Sequence, residues 1–258
     1  MACQNLPVHR DWRLVGARAV AVLGAVFWGL GWFGLIDLLV VPLQDERFRE
    51  HYLFESGWGL LYLVLVAVPL LVLAVRPGNA VALAQLAVVT VAVLLAGVWR
   101  PALPQVWTAG GLALTVGLLV WLGRARPPRR RRPDPVLAAL AVAALPPAVL
   151  YGAPLARNTT EVEDITNGVS HYPMQASLAL ALVGLVALTA MTRGRLPAWT
   201  AGSSACWLGI ESVVYPDLKA SLGVWGGALT AIWGVAVIAG LEVAARRDSR
   251  GGTGPLLL

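Results

Sequence analysis

The chain has 258 residues, 58% hydrophobic and 13% charged, with mean hydropathy +0.71 and a formal net charge of +6. A soluble domain of this size could not remove so much apolar surface from water, so the composition excludes the soluble classes and predicts a polytopic membrane protein. Two cysteines and three histidines, in no cluster, give no basis for a disulfide framework or a zinc or iron–sulfur site, so no metal and no cofactor is expected.

At about 20 apolar residues per bilayer crossing, the sequence predicts an all-α bundle of eight transmembrane helices. Residues 1–16 form a polar N-terminal tail. The first span, Ala17–Val40, is too long for a signal-peptide core and has no small-residue cleavage site after it, so it is read as a retained helix. It carries Trp28, Trp32 and, near its end, Asp37. A polar loop then leads to His51-Tyr52-Leu53-Phe54-Glu55, which opens the second span, Leu53–Val75. The four-residue spacing of His51 and Glu55 puts both on one helix face, one turn apart. Trp58 follows one turn later. The third span, Ala80–Val98, holds Gln85 as an isolated polar residue, and the fourth is Val106–Leu122.

Residues 124–135 form an Arg/Pro-rich linker whose arginine run is read as a topology-fixing segment rather than a nucleic-acid or anionic-lipid site. The fifth span, Val136–Tyr151, is short and contains Pro146-Pro147, which membrane helices tolerate when neighbours satisfy the freed carbonyls. The loop Ala156–Tyr172, with Glu161, Glu163 and Asp164, is long enough to be a lid. It ends on His171 and Gln175, an echo of the His51–Glu55 spacing, at the start of the sixth span, Pro173–Met191. The seventh, Pro197–Tyr215, carries Trp207, Glu211 and Tyr215. The eighth, Leu222–Ala244, carries Gly223 and Gly227, read as a helix-packing face, Trp225, and Glu242, read as solvated or paired among arginines. Residues 246–258 read as a disordered tail.

Arginine and lysine divide roughly three to one between alternate loops, which places both termini on the cytoplasmic side. Plentiful arginine with Lys219 as the lone lysine, in an Ala/Val/Gly-rich chain, points to a bacterial cytoplasmic membrane. The halves 17–123 and 136–245 share short motifs at a nearly constant offset, 112 from Val41 to Ala153 and 120 from His51 to His171. They predict two parallel four-helix repeats about an axis along the membrane normal.

Ionisable residues inside spans are costly, and Asp37, Glu55 and Glu211 all fall at the outer level together with His51 and His171. One such residue can simply snorkel to the headgroups. Three at one level predict a site. The expected catalytic set is Glu55 as acid, His51 as its partner, and Asp37 and Glu211 as charge stabilisers. His171, Gln175, Trp32, Trp58, Trp207 and Tyr215 are the expected substrate-binding set, with Trp28 and Trp225 as further wall. Trp12, Trp99 and Trp107 read as an interfacial belt.

Asp37-Leu38, Leu53-Phe54-Glu55 and Val68-Pro69-Leu70 resemble the first two helices of the EXPERA domain, over Gly31–Val75. That family includes sterol Δ8–Δ7 isomerases and sigma-2-receptor-type proteins. The resemblance implies that Asp37 and Glu55 face a lipophilic pocket and that His51 and Glu55 shuffle protons. Membrane terpene cyclases are a second likeness, without a motif to carry it. The expected function is therefore an isomerase or cyclase acting by acid–base chemistry on a lipophilic, isoprenoid-like substrate. A non-catalytic transporter or lipid-binding protein and a structural or assembly subunit are the alternatives. The expected partners are a lipophilic small molecule or lipid and the bilayer, not nucleic acid; no protein partner can be named.

Overall fold

A computed structural model describes residues 11–99, 103–124, 127–129, 131–158 and 170–250. Among them 85% are helical and none is in a strand. Helix α1 (Trp12–Val26) passes into a π-helical segment (Phe27–Gly31), breaks, and resumes as α2 (Gly34–Val40). A 3-10 turn (Glu46–His51) leads into α3 (Tyr52–Gly59), a second π-helical segment (Leu60–Ala67) and α4 (Val68–Val75). Then follow α5 (Ala80–Trp99), α6 (Leu103–Gly123), α7 (Pro135–Arg157), α8 (Tyr172–Thr192), α9 (Arg195–Val214) and α10 (Gly223–Arg250). The last helix thus runs to Arg250, past Arg246 where the disordered tail was expected to begin.

Helix starts follow their capping residues. Asp11 accepts from the Arg13 N–H, Asn79 from those of Val81 and Ala82, and Asp134 from those of Val136 and Leu137, each oxygen satisfying an N–H the helix leaves over. Pro135 sits in the first turn of α7, where its missing N–H costs nothing, and α7 continues through Pro146 and Pro147. The linker before it docks on α8, with the Arg131 and Asp134 N–H groups donating to the Met191 and Ala190 carbonyls.

Among the described residues, seven helical stretches are long and apolar enough to cross a membrane: Trp12–Val40, Glu46–Val75, α5, α6, α7, α8 and Gly223–Arg247. The eighth expected span, α9, is 20 residues long but more polar, because Thr200, Ser204, Glu211 and Ser212 are turned into the protein. The stretch Glu46–Val75 with α5 and α8 forms the buried centre, while α1–α2, α6, α7 and α10 show most of their apolar side chains to the surroundings. In the first half α1 packs on α4 and α6, α2 on α3, and α5 on α4 and α6. In the second, α7 packs on α8 and α10, and α9 on α8 and α10. The halves meet through α5 with α8, α3 with α8, and α9 with α3 and the second π segment.

Between α9 and α10 the backbones nearly touch. A Cβ on Gly209 would lie 2.5 Å from the Gly227 carbonyl oxygen, and one on Gly234 2.5 Å from that of Gly202. Gly227 therefore belongs to a packing seam, as in membrane helices that gain contact through small residues. Gly223 does not: it starts the helix at φ +68° with open space around it.

Candidate functional site

The site is built on α3, all eight of whose residues are buried. Glu55 and Ser56 are consecutive, so a helix turns them about 100° apart and each meets a different group of partners.

Glu55 faces Asp37 of α2, with the two carboxyl groups close enough to interact. The His171 Nδ1 lies 3.8 Å from the Glu55 Oε1. Asp37 is 8% exposed and Glu55 3%, so two spans bury two acids, and His171, ahead of a third, meets them largely covered. For two carboxyl groups to hydrogen-bond, at least one must hold a proton, because an ionised carboxylate has no donor. His171, just before the α8 span, is pushed down to about 4 by burial, and the nearby His51 adds to the effect. At neutral pH it is a neutral imidazole beside the acid pair.

Ser56 faces the other way and donates to the Glu211 Oε1 at 2.6 Å, while the Trp207 indole N–H reaches the Ser56 Oγ at 3.5 Å. Gln175 lies against the same turn because position 57 is glycine; a Cβ there would overlap the Gln175 side-chain oxygen. Its Nε2 donates to the Tyr151 hydroxyl at 2.9 Å, which donates to the Ala220 carbonyl at 2.7 Å.

An aromatic set covers the cluster. Trp58 meets His171 edge-on at 4.5 Å and stacks on Trp32 at 6.0 Å. The Trp58 N–H donates 2.7 Å to the Trp32 carbonyl, an acceptor at the break where Phe33 has φ +63°. Trp28 stacks on Tyr62 at 5.6 Å. Beside this set, between α1 and α6, runs a groove of about 550 Å³ lined by Leu23, Phe27, Trp28, Trp32, Trp107 and Gly111 among others.

Of the residues expected from sequence, Asp37, Glu55, His171, Trp32 and Trp58 form one group, and Glu211 and Trp207 form a second across α3. Gln175 contacts the same helix through Gly57, and Tyr215 packs on Tyr52 at 5.3 Å. His51 ends the 3-10 turn, half-buried, near His171. Trp225 is 83% exposed and walls nothing, because it starts α10 on the outer surface. Trp12, Trp99 and Trp107 are exposed near helix ends. Glu242 pairs with Arg195 at 3.1 Å, at the opposite end of the bundle. Glu161, Glu163 and Asp164 lie outside the described residues.

Sequence reasoning missed Ser56, Tyr151 and Thr200. Gln85 is not isolated: its Nε2 donates to the Thr200 Oγ1 at 3.1 Å and the Leu65 carbonyl at 3.3 Å. A hydroxyl in a membrane helix reads as harmless because it can bond its own backbone, and only the packing shows what else it meets.

No family model, curated protein or solved structure matches this chain. The EXPERA resemblance rests on its short motifs alone.

Proposed function

We propose that this integral membrane protein performs acid–base chemistry on a lipophilic, isoprenoid-like substrate, isomerising or cyclising it. The observation that carries the reading is the meeting of buried Asp37 and Glu55, from two spans, with the largely covered His171 at the start of a third, at one end of the bundle. Buried ionisable groups at membrane depth are too costly to be retained without use.

The proton shared by Asp37 and Glu55 is donated to a substrate double bond, forming a C–H bond and a carbocation. Loss of a second proton from a neighbouring carbon, to His171 or to the carboxylate left behind, restores a double bond. The cycle closes when that proton returns to the acid pair, so substrate and product differ only in bonding. The faces of Trp58 and Trp32 stabilise the cationic intermediate. The Ser56–Glu211–Trp207 group presents a hydrogen-bonded polar set beside α3, and Gln175, held by Tyr151, positions the substrate.

The packing order supports a duplicated plan. In each half the four spans close a ring in sequence order, and the central spans of one half meet the central spans of the other. With arginine concentrated in alternate loops, this supports both termini lying on the cytoplasmic side of a bacterial membrane and the site at the outer face.

A second reading, transport or lipid binding without catalysis, has one observation in its favour. Thr200 and Ser204 place buried hydroxyls along α9 away from Glu211, and Gln85 of α5 reaches the first of them. Turnover separates the two. Purified protein in nanodiscs, given isoprenoid lipids, should convert one of them. Glu55→Gln should lose at least about a hundredfold, the lower range for removing a general acid. Glu242→Gln, at the other end, should retain full activity. Equal lipid binding by wild type and Glu55→Gln with no conversion by either supports the second reading instead.

A further inference from the structure

The groove between α1 and α6 plays no part in the proton transfers above, yet its position and lining are unlike ordinary lipid-facing surface. Its residues run from Val20 to Trp32 on one wall and from Pro104 to Thr115 on the other. At 1.5 Å per residue the first wall rises about 18 Å, against about 15 Å for one leaflet of a roughly 30 Å hydrocarbon core. The groove is thus one leaflet long and ends where the carboxyl cluster begins.

Its surface is built for hydrocarbon. The Thr108 and Thr115 hydroxyls donate to the Pro104 and Gly111 carbonyls of their own helix. Leu23, Phe27 and Trp107 stand open to the surroundings on its rims, while Trp28 forms a buried floor. Gly111 leaves room above that floor; a Cβ there would rest 3.5 Å from the Trp28 ring. The adjoining wall is irregular backbone: a π-helical segment, then the break at Phe33. The carbonyl at the break is satisfied by the Trp58 N–H, as backbone at membrane depth requires, and π segments are frequent at functional sites. At the upper end Trp32 stacks on Trp58, which touches His171.

We infer that this groove receives the chain of an isoprenoid lipid sideways from the bilayer and directs its reactive end past Trp32 and Trp58 to the carboxyl cluster. The inference rests on the acid–base reading for the substrate class and for the fate of that end. The lining itself argues for an apolar chain, and its aromatic walls fit the flat alkene units of an isoprenoid better than the round cross-section of a saturated chain.

The test uses two photoreactive probes in nanodiscs, a farnesyl-type alcohol and a saturated fatty alcohol of equal length, each carrying a mid-chain diazirine. Labelled residues are mapped by mass spectrometry. The isoprenoid probe should label α1 and α6 at the groove, and Gly111→Leu should reduce that labelling about tenfold, the effect of overpacking a site by roughly one side chain. Thr115→Leu fills the deep end and should do the same. Gly110→Leu, whose side chain enters open space, should leave it unchanged. Size-exclusion profiles and melting curves identify any variant that fails to fold, and the remaining filling variant then decides. Labelling spread evenly over bilayer-facing residues such as Leu150, Leu229 and Ile232, or equal labelling by both probes, overturns the inference. Glu55→Gln should label as wild type does. Loss of turnover in Glu55→Gln without groove labelling would leave the acid site standing and remove the groove; groove labelling with full turnover in Glu55→Gln would do the reverse.

Discussion

Glu55 shows how a residue's place along its helix can be legible while part of its company is not. Its place near a span end is plain in the sequence, as are those of Asp37 and Glu211, because the apolar runs on either side fix their level. What it touches is not. The sequence pairs it with His51, one turn away; packing also sets His171, more than a hundred residues on, 3.8 Å from it. Helical spacing reveals neighbours on one helix, and a site assembled from three helices is decided by packing. His171 also makes a prediction of its own. Burial holds its imidazole at about 4, below the ordinary 6.5. Between those values the unfolded chain binds a proton that the folded chain does not, so stability rises with pH across that window. The contribution is complete above 6.5 and is lost as pH falls towards 4. Melting temperatures in detergent should fall over that window for wild type and fall less for His171→Gln; identical curves would mean that His171 is not buried neutral.

Helices were the most legible level, and their irregularities the least. Eight apolar runs gave eight helical stretches, including α7 with its paired prolines. The breaks and π-helical segments at Phe27–Gly31 and Leu60–Ala67 left no mark in the sequence, since their residues are ordinary apolar ones. They follow from tertiary partners such as the Trp58 N–H on the Trp32 carbonyl. The glycine pattern was half legible. Gly223 and Gly227 suggested a seam at a spacing of four, but the contact runs through Gly202 and Gly209 against Gly227 and Gly234, a spacing of seven on both helices. Gly209→Ala sets a methyl against backbone, which cannot swing aside as a side chain can. We expect it to destabilise by about 2 kcal/mol, within the usual range for overpacking. Gly110→Ala meets nothing and should be neutral or stabilising by up to about 1 kcal/mol from helix propensity. Unfolding titrations of the two variants in one detergent check the pair; equal effects would contradict the seam.

For the whole molecule, hydropathy gave the class of protein because backbone polar groups in lipid must be satisfied within helices. It could not separate central from peripheral spans. That division comes from inward-facing polar residues, which also kept α9 out of the stretches apolar enough to cross a membrane. Orientation is carried by arginine placement and can be tested directly. In a background with Cys3→Ser and Cys206→Ser, a cysteine at Asp217 should react with an impermeant reagent on intact cells and one at Pro127 only after lysis. The reverse pattern would turn the protein over and put the carboxyl cluster at the cytoplasmic face. The central claim is that Asp37 and Glu55 work as one acid unit on a lipid, and a double-mutant cycle on turnover tests it most directly. Groups that act as a unit are strongly non-additive. Asp37→Asn and Glu55→Gln should each abolish most conversion of the isoprenoid substrate, and the double variant should be no worse than the more damaged single. Losses that multiply, or full turnover in either single variant, would contradict the account.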